Sequence, residues 1–179
     1  MDRSELSETI VHELSALFEA EVRAAGPALL AADLDGMEQR VQQLSRRVCG
    51  ALLERVLAVR AQAPAARPPC PACGSLLRLV ERARGRHLHG LTGDVTLHRP
   101  TYVCTRTDCG RGYAPLDDQL GLGSPTLTPR LARVACRAGS TTAFEEAAVH
   151  LAEELGVTVS DETVRRVSEA VGAVAEAEQ

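Results

Sequence analysis

The chain has 179 residues, is 45% hydrophobic and 25% charged, and contains only four aromatic side chains, Phe18, Tyr102, Tyr113 and Phe144. So few rings argue against a single-strand reader that stacks bases on aromatic platforms. The net charge of −4 is unevenly spread: residues 1–66 sum to −3, 67–113 to +5 and 114–179 to −6, with every basic residue an Arg. An Arg- and Ala-rich composition is most simply that of a GC-rich coding sequence, although Arg also favours bidentate phosphate contacts.

Two helices are expected first. Leu6, Ile10, Leu14, Leu17, Phe18 and Val22 share a face, and Gly26-Pro27 is expected to stop the run. Met37, Val41, Leu44, Val48, Leu52, Val56 and Val59 then recur at steps of three or four, the pattern of an amphipathic helix. The two helices could form an antiparallel pair or a homodimer seam. Cys49 lies beside that seam and is expected to be a small buried hydrophobe. No basic-then-apolar leader and no apolar run of about 20 residues is evident, so a cytoplasmic chain without a membrane partner is expected. Residues 61–69, AQAPAARPP, read as a linker.

The middle segment changes period. Residues 76–82 are β-type, and residues 86–91 and 95–99 flank the turn Thr92-Gly93-Asp94. Around these strands lie two short cysteine pairs, Cys70-Pro71-Ala72-Cys73-Gly74 and Cys104-Thr105-Arg106-Thr107-Asp108-Cys109-Gly110. Paired thiolates on turns joined by a hairpin suit a closed, structural zinc site built from Cys70, Cys73, Cys104 and Cys109. Gly74 and Gly110 would supply the left-handed backbone such turns need. Disulfides and redox chemistry are the competing readings; a chain without a leader argues against the first, the lack of a βαβ context against the second. His87, His89 and His98 are read as strand-surface histidines, His98 being a substitute ligand only if one Cys is free. With so small a core, stripping zinc is expected to unfold residues 70–113.

Helical periodicity returns after Pro115. Thr128-Pro129 is a helix start, and Thr142-Ala143-Phe144-Glu145 fits a capping box ahead of Phe144, Ala148, Leu151 and Leu155. Gly156 ends that helix, and Ser160 caps a last one with Val164, Val167, Val171 and Val174 inward. The last two helices resemble a helix-turn-helix, with Ala152 small at the crossing and a turn about two residues longer than the commonest; an ordinary helical hairpin is the alternative. The adjacent acids, Asp117-Asp118, Glu145-Glu146, Glu153-Glu154 and Asp161-Glu162, diverge on helices and read as solvated faces. Cys136, next to Ala135, is expected to be buried.

The ordered strings CPACG, LHGLTGDVTLHRPTYVC, CGRGYAPLDDQLGL and TTAFEEAAVHLAEELGVTVSDETVRRVSEAVG, spanning residues 70–172, resemble the N-terminal region of ISKra-type insertion-sequence transposases. The resemblance implies binding to double-stranded DNA at element ends, ahead of a catalytic domain bearing an Asp-Asp-Glu triad. Only seven residues follow Gly172, so a chain without that domain, and not an enzyme by itself, is expected. The second cysteine pair departs from the family in having four residues between its cysteines where two are expected.

The expected fold class is therefore α+β: N-terminal helices over 1–60, a linker at 61–69, a zinc-ribbon β-module at 70–115 and a helix-turn-helix-like unit at 126–179. Candidate DNA contacts are Arg78, Arg82, Arg84 and Arg86 on the ribbon, Arg130, Arg133 and Arg137 on the first C-terminal helix, and Ser160, Thr163, Arg165 and Arg166 on the last. No small-molecule substrate is expected. A protein–protein module binding a transposase or host factor is the alternative function, and a decaying gene product a third.

Overall fold

A computed structural model describes residues 3–61, 67–123 and 126–177, without the side chains of 3–6 and 174–177. Residues 62–66 of the expected linker and the side chains of Leu6 and Val174 therefore lie outside the described residues. The element order is α1 (Arg3–Leu30), α2 (Leu34–Arg60), β1 (Leu77–Leu88), β2 (Val95–Cys104), β3 (Gly112–Tyr113), α3 (Pro115–Gln119), α4 (Pro129–Gly139), α5 (Phe144–Leu155) and α6 (Asp161–Ala177). The class is α+β, as expected. Among the described residues, no helix is long and apolar enough to cross a membrane.

The helices α1 and α2 pack antiparallel. Glu21 pairs with Arg47 at 2.7 Å and Glu13 with Arg55 at 2.8 Å, so numbers fall along one helix as they rise along the other. Asp33 caps α2 by accepting from the Gly36 amide at 3.0 Å. Two expectations fail here, the stop at Gly26-Pro27 and the burial of Cys49. Helix α1 continues through Pro27 to Leu30; a proline this close to the end forfeits one backbone hydrogen bond, with less than a turn left to disturb. The α2 stripe is only partly covered: Met37, Leu44 and Val48 are half-buried, whereas Val41, Leu52, Val56 and Val59 are exposed. Periodicity had located an apolar stripe, but α2 presents a second one, Gly50, Leu53 and Leu57, to the sheet. Cys49 is exposed rather than buried.

Strands β1 and β2 form one long antiparallel hairpin, from Leu77↔Cys104 to Leu88↔Val95, and β3 adds a short pairing at Tyr102↔Tyr113. The two β-runs expected on the N-terminal side are a single strand. Register shifts between Leu79 and Arg84 mark bulges, which add local twist. Each end of the hairpin is packed differently. Leu77 and Tyr102 are buried with Cys70 and Cys104 at one end. At the other, Leu88, Val95 and Leu97 are covered by Leu53 and Leu57 of α2 and by Leu116 of α3. Between them, Val80 to Gly85 are all exposed. Pro68 and Pro69, assigned to the linker from composition, belong to the β-module: the Pro68 carbonyl accepts from the Leu77 amide at 3.0 Å, and Pro69 bridges to Leu76.

The hairpin loop meets α2 backbone to backbone. Gly93 has φ +141°, and a Cβ there would lie 2.1 Å from the Arg46 carbonyl oxygen. The Arg46 guanidinium donates to the carbonyls of Leu91 (2.7 Å), Gly90 (3.2 Å) and Leu155 (3.3 Å). One side chain thus joins α2, the loop and the end of α5.

Helices α4, α5 and α6 enclose a core of Leu131, Ala135, Ala147, Leu151, Val157, Val164 and Val167, and Cys136 is half-buried against it. Thr128 caps α4 with Pro129 in its first turn, as expected. The Ser160 hydroxyl accepts from the Thr163 amide at 3.2 Å, and Gly156 ends α5 at φ 61°. The expected capping box is corrected: Ala143 occupies the cap of α5 without a side-chain bond, because the Thr142 hydroxyl donates back to the Ala138 carbonyl at 3.2 Å. Ala152 is exposed. The small residue at a helix crossing is Gly139, where a Cβ would meet Ser168 and Val164 of α6 at 2.8 and 3.0 Å. Val171 is exposed, since α6 extends beyond the helices that cover Val164 and Val167. Backbone bonds from His89 to Thr126 and Thr128 dock this unit on the β-module.

Candidate metal centre and charged surfaces

The four cysteines nominated from spacing converge. The Sγ atoms of Cys70 and Cys109 are 3.9 Å apart and those of Cys73 and Cys104 are 3.5 Å apart, and all four lie within 4.8 Å of one another. A tetrahedral zinc ion with bonds of about 2.3 Å separates its sulfurs by about 3.8 Å. The observed spacing also far exceeds the roughly 2.05 Å of a disulfide, and all four thiols are free. The cluster could hold a metal ion.

Local hydrogen bonding builds both turns. In the first, the Gly74 amide donates to the Cys70 carbonyl at 2.8 Å with Gly74 at φ 73°. In the second, the amides of Cys109 and Gly110 donate to the Arg106 carbonyl at 3.2 and 3.0 Å, and Gly110 has φ 52°. The four-residue spacing is thereby explained. Cys104 is the last residue of β2, and the tight turn starts only at Arg106, so the extra residues carry the chain from strand to turn. Within the turn Arg106 pairs with Asp108, its Nε 2.9 Å from Oδ1.

The thiols are electrostatically unequal. The Ser75 backbone amide and hydroxyl, opposed by burial, bring Cys73 down to about 6. At Cys104 the Arg106 amide also favours the thiolate, but burial and the neighbouring thiols outweigh it and push the group up to about 12. One thiolate accepting from its neighbours is a stable arrangement without a cation; four thiolates packed this closely require one.

The histidines lie elsewhere. His98 is exposed, its Nδ1 3.3 Å from the Ala83 carbonyl. With four sulfurs together, a substitute ligand has no role. His87 and His89 gather with Asp94 at the hairpin loop, within 4.8 Å of one another, a grouping the strand-surface reading had missed.

Asp117 was also misread as part of a solvated face. Its side chain is 14% exposed. Arg99 donates to both of its oxygens at 2.8 Å, and Arg86 donates to Oδ2 at 2.8 Å. Arg99 also donates to the Arg84 carbonyl at 3.0 Å, and it is the buried charged residue of the sheet. Burial works against the Asp117 carboxylate, but the two guanidinium groups outweigh it and hold the group below the usual aspartate value. Neighbouring Asp118 accepts from the Tyr113 hydroxyl at 2.9 Å.

The basic candidates divide into engaged and open groups. Arg86 is half-buried against Asp117 and also donates to the Gly123 carbonyl. Arg165 is held by Glu162 at 2.7 Å and Glu169 at 2.7 Å, while Arg166 lies 3.6 Å from Glu162. Ser160 and Thr163 share a hydroxyl contact at 2.9 Å. Arg78, Arg82 and Arg84 on β1 and Arg130, Arg133 and Arg137 on α4 are exposed, and among the described residues none has a carboxylate partner.

No family model matches the chain, and no curated protein or solved structure is similar enough to be counted a relative.

Proposed function

We propose that the chain binds double-stranded DNA through a zinc-stabilised ribbon and a helix-turn-helix-like unit, as the DNA-binding region of an insertion-sequence transposase. The metal assignment rests on four thiols at zinc-like spacing, a donor set that closes the coordination shell and makes the ion structural. The observation that carries DNA binding is the set of six exposed, unpaired arginines on β1 and α4. Guanidinium groups without carboxylate partners can take phosphates at no cost in broken ion pairs. In this reading α5 and α6 are the helix-turn-helix and Ser160 marks the tip of the second helix. Because Glu162 and Glu169 already neutralise Arg165, backbone contact falls mainly to α4 and the ribbon. The reading assigns no catalytic step to the chain.

Fluorescence anisotropy with duplexes from candidate element ends, at several salt concentrations, tests this. Each phosphate contact contributes about 0.9 to the logarithmic salt slope. The triple variant Arg78→Ala, Arg82→Ala, Arg84→Ala should therefore flatten the slope by about 2 to 3. Arg165→Ala should barely change it. An unaltered slope in the triple variant, with its metal content intact, would overturn the ribbon's role.

A second reading, contact with another protein or a second copy of the chain, is favoured by one observation. Val41, Leu52, Val56 and Val59 on α2 and Val11, Phe18 and Val22 on α1 are exposed. That is more apolar surface than scattered single residues would leave.

A further inference from the structure

The three side chains at the hairpin loop have no part in the DNA-binding reading. His87 and His89 are two residues apart in extended backbone, so they project from the same face, and Asp94 comes back across the loop just before β2. His89 Nδ1 is 3.2 Å from Asp94 Oδ2, and His87 Nε2 is 3.9 Å from the same oxygen. The imidazole centroids are 4.9 Å apart with the rings at 89°. An ion with bonds of about 2.0–2.1 Å places its ligand atoms about 3.3 Å apart. His89 and Asp94 already stand at that spacing, and a small rotation of the exposed His87 ring brings the third donor in.

The frame behind these groups is rigid. The backbone of His89 is fixed on both sides, its amide donating to Thr126 at 2.7 Å and its carbonyl accepting from Thr128 at 2.9 Å. The loop is locked to α2 through Gly93 and Arg46. Arg46 Nη2 lies 3.8 Å from Asp94 Oδ1, so the carboxylate divides its oxygens: Oδ1 towards the guanidinium, Oδ2 towards the imidazoles. An outer partner of that kind orients a carboxylate ligand. In front of the cluster is a polar groove of about 690 Å³ lined by Gln39, Gln42, Gln43, Glu153 and Thr158 as well as His89 and Asp94.

We propose that His87, His89 and Asp94 form a second metal site, which takes a borderline divalent ion of the zinc or cobalt(II) class. Two imidazoles and one carboxylate are donors such ions prefer. Three protein ligands leave a position open to water or an anion in the groove, unlike the closed four-thiolate cluster. The proposal does not depend on DNA binding.

Cobalt(II) titration of the full-length chain tests it. A thiolate site gives intense sulfur-to-metal charge-transfer absorption; a nitrogen–oxygen site gives only weak visible bands. The wild type should take up two equivalents, one with each signature. His89→Ala and Asp94→Ala should each bind one, keeping the charge-transfer band. His87→Ala, a change at an exposed ring, should weaken the second equivalent at least tenfold and guards against misfolding of the other two. A single equivalent in the wild type that carries the charge-transfer band, or a second equivalent unaffected by all three substitutions, overturns the site. Weak bands without charge transfer would instead sink the zinc-ribbon reading and leave this one standing.

Discussion

At the scale of single residues, what could be read from the sequence was whatever depended on near neighbours. The cysteine quartet was visible because each pair is a local turn motif with its glycine, and only the joining of the turns had to be assumed. Thr128 and Ser160 cap their helices as their types suggest. Asp117 was opaque because its partners, Arg86 and Arg99, lie on strands 31 and 18 residues away. Nothing in the local pattern separates it from Asp118. Its environment gives a direct prediction. Replacing Asp117 by Asn leaves two guanidinium groups partly buried without a countercharge, and breaking such a pair costs about 3 kcal/mol or more. The sign of the pH effect follows from the depressed folded-state value. The carboxylate stabilises the fold above the unfolded aspartate value and loses that contribution as pH falls through its lower folded value. Urea melts should show a lower midpoint for Asp117→Asn at pH 7, and a smaller gap between variant and wild type as the pH is lowered below about 4. Gly93 gives another. Gly93→Ala would drive a methyl group into the Arg46 carbonyl and should lower stability by at least the 1–3 kcal/mol of a strained backbone position, whereas Gly74, with open space around it, should tolerate the same change better apart from its positive φ.

At the scale of elements, periodicity identified helices more reliably than it identified their buried faces. The α2 stripe of Val41, Leu52, Val56 and Val59 is helical in spacing yet exposed, because an apolar stripe does not specify its partner. The cap of α5 moved by one residue because a threonine hydroxyl can turn back to the preceding helix as readily as forward. The hairpin shows what the two-run expectation concealed. Its ends are secured by different means, thiols at one and α2 leucines at the other. Removing the metal proposed for the cysteine cluster should therefore not unfold all of residues 70–113. Hydrogen exchange after chelation should show loss of protection around Leu77, Tyr102 and Val103, while Leu88, Val95 and Leu97 stay protected. Uniform loss along both strands would show that the α2 contact cannot hold the hairpin alone. In the C-terminal unit, Leu131→Ala removes a fully buried side chain at the centre of three helices and should cost about 2–5 kcal/mol, measurable by thermal or chemical denaturation with the cysteine cluster unaffected.

At the scale of the molecule, among the described residues α1 packs against α2 and against no other element. The α2–sheet contact, Arg46 and the His89–Leu127 bridge hold the remainder together. Deleting residues 1–30 should therefore leave metal content and the C-terminal core intact while exposing more of α2. If the uncovered apolar stripe is a homodimer seam, light scattering should show the full-length chain at twice the monomer mass and the deletion variant shifted towards monomer. A monomeric full-length chain at tens of micromolar would remove that reading. The order of helical, β and again helical elements was legible from composition and period. The contacts between them were not: bare glycines, one arginine and backbone pairing carry no apolar pattern, and the Leu53 and Leu57 face that α2 turns to the sheet was hidden beside the more regular stripe.

The stretch from Val80 to Gly85 is bulged and uncovered, with firm attachments on either side. A ribbon fastened at both ends can alter its twist in between without loosening either fastening. Its arginines can thus follow a curved partner by local bending, and the elasticity needed for fitting is kept apart from the bonds that keep the protein folded.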